Sequence, residues 1–98
     1  TFKNNVGVDV EKEIVDIVSK EPVASEIHHL CTRRIGNAVA IEMHVRMPGN
    51  MTLYESHLHA TQIEKRLRER FGENTHIGLH VEPQKVDGQY VKPNIMKV

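Results

Sequence analysis

Histidine gives this sequence its most distinctive chemistry, because the chain holds seven histidines beside a single cysteine. His80 and Glu82 are two residues apart in a predicted strand, so their side chains share one face. His44 lies in a second predicted strand, which we expect to run parallel to the first at about 4.8 Å. Two imidazoles and a carboxylate form most of a divalent-metal site, and a fourth ligand would complete a tetrahedron. Metal binding is therefore the chemistry that these residues predict.

The remaining histidines have plainer interpretations when each is taken singly. We interpret His29, His59 and His76 as surface residues. His57 falls on the sheet-facing side of a predicted helix, where a boundary histidine with a hydrogen-bond partner is the ordinary interpretation. Cys31 is interpreted as a small buried residue.

Hydrophobic periodicity predicts the elements that position these side chains. A helix is predicted over residues 9–20 with Asp9 as its cap, followed by a short strand over 27–34. Residues 39–47 alternate most clearly, with Glu42 and His44 on the face away from the core. Thr52 and Glu55 form a capping box that opens a helix ending at residue 71. Its predicted buried stripe, with His57 on the same side, is Leu53, Ala60, Ile63, Leu67 and Phe71.

A last strand over residues 75–82 completes the order helix, strand, strand, helix, strand. We therefore predict an α+β fold, an αββαβ two-layer sandwich of the ferredoxin-like or metallochaperone-like kind. Two helices cover one face of a three-stranded mixed sheet. The strand–helix–strand step implies a right-handed crossover, which places the last strand parallel to the middle one. Asp87-Gly88 in the tail is a candidate hairpin turn.

The first strand supplies a further histidine, and the turn that follows it decides which one. A three-residue turn, Ile35-Gly36-Asn37, places His28 opposite His44 and puts Ile27 and Cys31 on the core side. A two-residue turn places His29 there instead and buries Leu30. The periodicity leaves both registers open.

Composition bounds the class of protein. The 98 residues suffice for one domain, and 13 basic side chains balance 13 acidic ones. Zero net charge argues against a nucleic-acid partner, which requires a basic excess. No apolar run reaches the length of a membrane-spanning helix, so we expect a soluble domain. A lone cysteine indicates a reducing compartment, and the first residue, threonine, indicates a piece of a longer protein.

At these residues the sequence resembles the C-terminal cytoplasmic domain of cation diffusion facilitator transporters. The resemblance covers residues 11–83 and rests on four segments in order. They are 27–33 (IHHLCTR), 41–45 (IEMHV), 55–64 (ESH leading to QIE) and 71–82 (FG leading to HVE) followed by Pro83.

The resemblance implies a metal-binding, dimerising cytoplasmic domain over residues 9–83, with 1–8 as a flexible lead from the membrane part and 84–98 as a tail. It implies no catalytic role. The partners would be a second copy of the chain and a transmembrane domain on the inner face of the cell membrane. The function would be regulation of proton-coupled cation export. By position, the implied ligands are His28, His44, His80 and Glu82, with His57 added where two ions bind.

Zinc is the first candidate ion, and Fe²⁺, Co²⁺, Mn²⁺ and Cd²⁺ also suit this donor set. Two residues depart from the family pattern. Cys31 stands where an arginine is common and could add a soft ligand, and Glu82 stands where zinc-transporting relatives often have aspartate. The alternative function is a metal-independent regulatory module of the same fold that binds a small metabolite.

Overall fold

The computed structural model describes residues 7–93. The predicted lead over 1–8 and tail over 84–98 therefore lie partly outside the described residues. The elements follow the predicted order, as α1 (Val8–Ser19), β1 (Ser25–Ile35), β2 (Ala38–Met47), α2 (Leu53–Phe71) and β3 (His76–Pro83). Two short strands, β4 (Lys85–Val86) and β5 (Gln89–Tyr90), follow them.

The three long strands form one mixed sheet in the order β1-β2-β3. β1 runs antiparallel to β2, and β3 runs parallel to β2, as the crossover predicts. Both helices pack on the same sheet face, so the chain is an α+β two-layer sandwich. The opposite sheet face has no helix over it among the described residues, and it holds most of the histidines.

The core lies between the helices and the inward face of β2. Alternate residues of β2 are buried there, as their period-two pattern predicts. They meet one stripe of apolar side chains from each helix. The fully buried members of this core are Ile14, Val18, Ile41, Met43, Val45, Met47, Ile63 and Leu67. Removing this apolar area from water is the main term that stabilises the fold.

The start of α2 confirms one prediction and corrects another. Thr52 and Glu55 form the reciprocal capping box, with Thr52 Oγ1 accepting from the Glu55 amide at 3.0 Å. Leu53, however, is 87% exposed, and His57 is exposed as well. A step of three residues and then one of four back from Ile63 lead to Ala60 and Ser56, and both are half-buried. The residue before the cap, Met51, packs against the core instead.

The start of α1 corrects a second prediction. The helix begins at Val8, and Gly7 is its N-cap, with a φ of 98° that favours glycine. Asp9 therefore lies in the first turn of α1. Its carboxylate there interacts favourably with the positive end of the helix dipole, although it does not cap the helix. In the tail, Asp87 and Gly88 form the expected turn between β4 and β5, and both have positive φ.

A buried carboxylate joins the two helices. Glu21, which follows α1, is 5% exposed and accepts hydrogen bonds from His59 and Arg66 of α2. Burial by itself raises the pKa of Glu21, but the bonds from His59 and Arg66 outweigh it, so the pKa is lowered.

We expect Glu21→Gln to destabilise the fold by about 1 kcal/mol at pH 7, because the ion-paired hydrogen bonds lose their charge. Because the pKa of Glu21 is lower in the folded chain than in the unfolded chain, its ionised form stabilises the fold above the unfolded pKa, about 4.3. This stabilisation is lost as the pH falls through the folded pKa. The difference in unfolding free energy between wild type and variant should therefore narrow below about pH 4.3. Urea unfolding from pH 7 to pH 3 measures it, with the exposed Glu73→Gln as control. A gap that stays constant across this range would contradict the assignment.

Candidate metal centre

One row of side chains crosses the open face of the sheet. His28 of β1 pairs with His44 of β2, and His44 pairs with His80 of β3. Glu82 lies two residues beyond His80, opposite Arg46. Strand pairing thus brings three imidazoles, a carboxylate and a guanidinium together from all three strands.

Two irregularities in β1 decide which histidine enters this row. Ile35 pairs with Ala38, so the turn has only two residues, and that register would place His29 opposite His44. The register shifts between His28 and Cys31 and again between Ser25 and His28. The pairing of His28 with His44 therefore comes from a bulge, not from the three-residue turn that was its predicted cause.

The bulge also resolves the conflict between the two predicted registers. Ile27 and Leu30 both pack against the core, although they are three residues apart in one strand. Cys31 is buried but pairs with the exposed Glu42, and it lines a small cavity of 150 Å³ with Arg33 and Ala40. Cys31 is thus buried, as predicted. The three-residue-turn alternative, which put Cys31 on the same side as Ile27, does not hold, because the inserted residue reverses the alternation.

His28 is held in one orientation by its own strand. Its Nδ1 lies within hydrogen-bond distance of the Glu26 backbone carbonyl, which can only accept, so Nδ1 bears the proton. In the neutral ring the lone pair is then on Nε2, which lies 3.4 Å from Glu82 Oε1. A φ of 47° at Glu26, within the first register shift, is part of the local backbone that presents this carbonyl. A backbone bond that fixes the tautomer is the usual support of a metal-binding histidine.

Glu82 is the common neighbour of the three imidazoles. His44 Nδ1 donates to Glu82 Oε2 at 3.0 Å, and His80 Nε2 lies 3.5 Å from the same oxygen. The His44 and His80 rings are 4.5 Å apart between centroids. One donor atom each from His44, His80 and Glu82 lies within 4.8 Å of the others.

These separations suit a small divalent cation. Zinc bonds of about 2.0–2.1 Å to nitrogen and oxygen give a tetrahedron whose edges are about 3.3 Å. Glu82 is 3.0–3.5 Å from the nearest ring nitrogens of its three histidine neighbours. The residues present therefore fit zinc in donor type, and the separations between Glu82 and its histidine neighbours are close to the edge of a zinc tetrahedron.

Arg46 is a member of the cluster that the sequence did not single out. Its Nη1 lies 3.0 Å from Glu82 Oε1 and donates to the Pro83 carbonyl at 3.1 Å. The Arg46 side chain is 11% exposed, and its guanidinium lies 5.9 Å from the Tyr90 ring centroid. Strand periodicity was the available signal, because Arg46 is two residues after His44 on the same face.

The neighbours of Glu82 determine the direction in which its pKa is shifted. Partial burial raises the pKa of Glu82, but the His44 hydrogen bond and the charge of Arg46 more than offset it, so the pKa is lowered. Glu82 is therefore an ionised carboxylate at neutral pH, which is the state that ligates a metal.

The other sequence-predicted ligand lies elsewhere. His57 is exposed on α2, and within residues 7–93 it belongs to neither group of clustered donors. His29, interpreted from the sequence as a surface residue, is exposed but has its ring centroid 4.9 Å from that of His44. A pocket of about 470 Å³ opens beside this row, lined by His29, Glu42, Met43, His44, Gly78, Leu79 and His80.

The αββαβ sandwich with histidines on its open sheet face defines the class of protein. The chain belongs to the cation efflux protein family, whose cytoplasmic-domain model matches residues 7–84. No helix among the described residues has the length and apolar character needed to cross a membrane.

Among individual proteins, the chain is similar to the cation-efflux pump FieF of Salmonella arizonae, with 35% identity over 85 residues. That match covers 86% of this chain and 28% of FieF, so the chain spans about a quarter of the length of the curated relatives it matches. A solved structure of CzrB superposes with a TM-score of 0.75 at 25% identity, covering 83% of this chain and all of that one. The metal-bound C-terminal domain of CzcD from Thermotoga maritima superposes with a TM-score of 0.70 at 26% identity, covering 76% of this chain and 87% of that one.

Proposed function

We propose that this domain binds a divalent cation, zinc first, through His28, His44, His80 and Glu82. The observation that supports the proposal most is the position of Glu82 within 3.5 Å of ring nitrogens from all three strands. The metal-bound CzcD domain and the zinc form of CzrB are solved structures of similar fold. Fe²⁺, Co²⁺, Mn²⁺ and Cd²⁺ are the other candidate ions for a donor set of this kind.

Binding should move a proton within the site. His44 Nδ1 donates a proton to Glu82 in the hydrogen bond that joins them, so ligation through Nδ1 requires that proton to move, either to Nε2 of the same ring or to solvent. The ion also brings charge to a carboxylate that Arg46 already neutralises in part. When the ion binds, the contacts of Glu82 with the His44 N–H and with the Arg46 guanidinium are therefore replaced by contacts with the metal.

The domain acts, in this proposal, as the regulatory cytoplasmic part of a divalent-cation efflux transporter. Two copies associate through their open sheet faces, and the exposed His57 is available as an additional ligand in an assembly with two ions per chain. An ion that binds the paired state better than the separate state shifts the population toward the dimer. In the full transporter, that shift supports proton-coupled export.

We expect zinc at 100 times its Kd to stabilise the chain by about 2.7 kcal/mol. This should raise the melting temperature by at least about 10 °C, since a domain of this size gains several degrees per kcal/mol. Protonated imidazole has no free lone pair, so the shift in melting temperature should shrink at acidic pH. Thermal melting with zinc, with magnesium as the control ion, tests binding.

Light scattering on the same samples tests the assembly. Zinc should raise the weight-average mass toward twice that of the monomer, and a chelator should reverse the change. A dimer whose affinity is the same with zinc and with chelator would contradict the proposed switch and favour the metal-independent regulatory module.

A further inference from the structure

His29 occupies an unusual backbone conformation at the edge of the histidine row. Its φ is 53°, within the second register shift of β1, where most strand residues have negative φ. The left-handed region costs a non-glycine residue roughly 1–2 kcal/mol. Bulges of this kind re-aim side chains and are frequent beside functional sites.

The conformation brings a third imidazole against two others. The His29 ring centroid lies 5.1 Å from that of His28 and 4.9 Å from that of His44. One ring nitrogen from each of these three histidines lies within 4.8 Å of the other two. No carboxylate belongs to this group of donors, since Glu82 groups with His44 and His80.

We propose that His29, His28 and His44 form an all-imidazole cation site that takes borderline and softer ions such as Cu²⁺ and Ni²⁺. Nitrogen donors favour these ions, whereas Mn²⁺ and Mg²⁺ prefer oxygen. The inference rests on the proposed function, because it shares His28 and His44 with the carboxylate-containing set. It adds His29 as a ligand, and the kind of ion then determines which of the two overlapping sets of ligands binds it.

His44 makes the two sets alternatives. A neutral imidazole has one lone pair, so His44 can ligate an ion in only one set at a time. In the metal-free chain His44 donates to Glu82 through Nδ1, so the lone pair of its neutral ring is on Nε2 and is the atom that an ion seated with His28 and His29 would bind. Ligation through Nδ1 in the set that contains Glu82 requires the other tautomer of His44. Copper and zinc should therefore compete for the chain although their ligands differ.

Pulsed electron paramagnetic resonance of the chain with one equivalent of Cu²⁺ tests the site, because it counts the imidazole nitrogens bound to copper. We expect three in the wild type and two in His29→Asn. Asparagine tolerates positive φ, so this variant keeps the bulge while removing the imidazole. Copper affinity should fall by roughly tenfold or more in His29→Asn and in His29→Gly, and it should be unchanged in His76→Ala. His76 is an exposed histidine of β3 that pairs with Ala40 and lies outside both groups of donors.

Two results separate this inference from the function on which it rests. An unchanged nitrogen count and copper affinity in His29→Asn, with zinc binding still weakened by His80→Ala, would overturn the His29 site alone. A wild-type chain that binds neither copper nor zinc at neutral pH would overturn both.

Discussion

Replacing His44 with alanine should weaken zinc binding by at least roughly 100-fold. Loss of a second-shell partner alone costs about 10- to 100-fold in metal affinity, and a direct ligand should matter at least as much. His44 is central because it contacts all the other donors. It lies 3.0 Å from Glu82 Oε2, and its ring centroid is 5.3 Å from that of His28 and 4.5 Å from that of His80. Isothermal titration calorimetry with zinc at pH 7.5 measures the loss.

His76→Ala is the matched control for His44→Ala. Both remove one imidazole from a strand, but His76 lies outside the cluster. Both variants should fold without metal, because neither side chain belongs to the core. Equal zinc affinity in His44→Ala and His76→Ala would contradict the ligand assignment.

Replacing Arg46 with glutamine should tighten zinc binding by roughly tenfold. The Arg46 guanidinium is 3.0 Å from Glu82 Oε1 and only 11% exposed, so its charge acts on the site with limited solvent screening. It occupies one carboxylate oxygen as a tethered cation and repels an incoming ion. Removing the charge frees the oxygen, and competition with a chromophoric chelator measures the gain.

Arg46→Lys separates charge from packing. Lysine keeps the positive charge but not the paired donors that hold both Glu82 and the Pro83 carbonyl. Its zinc affinity should therefore stay closer to that of the wild type than to that of Arg46→Gln. Weaker zinc binding in Arg46→Gln would mean that Arg46 supports the site by orienting Glu82.

The sequence predicted the sheet well, because strong alternation in β2 allows only one face to be buried. The parallel placement of β3 followed from the handedness of the crossover, and it brought His44 beside His80 as expected. The capping box at Thr52 and Glu55 is equally local, since four consecutive residues contain the whole signal.

The bulge in β1 was beyond the reach of periodicity. Each candidate register buried either Ile27 or Leu30, whereas an inserted residue buries both and turns His28 toward Glu82. His29 has no glycine-like signal, although its φ is positive. The gain in buried apolar area and strand pairing outweighs the local backbone preference there.

The prediction of which side chains are buried at the start of α2 was wrong for a different reason. The predicted buried stripe was extended to Leu53 on the assumption that the first turn of α2 packs on the sheet. Leu53 is exposed, and Met51 contacts the core instead of Leu53. Hydrophobicity alone does not reveal where a helix first meets its sheet. The same error placed His57 on the inward side.

Anomalous diffraction at the zinc edge, from crystals of the zinc-loaded chain, tests the central claim most directly. The account predicts a zinc peak bounded by His28, His44, His80 and Glu82 on the open face of the sheet. A zinc-loaded crystal whose peak lies away from these four side chains, or which shows no peak above background, would contradict it.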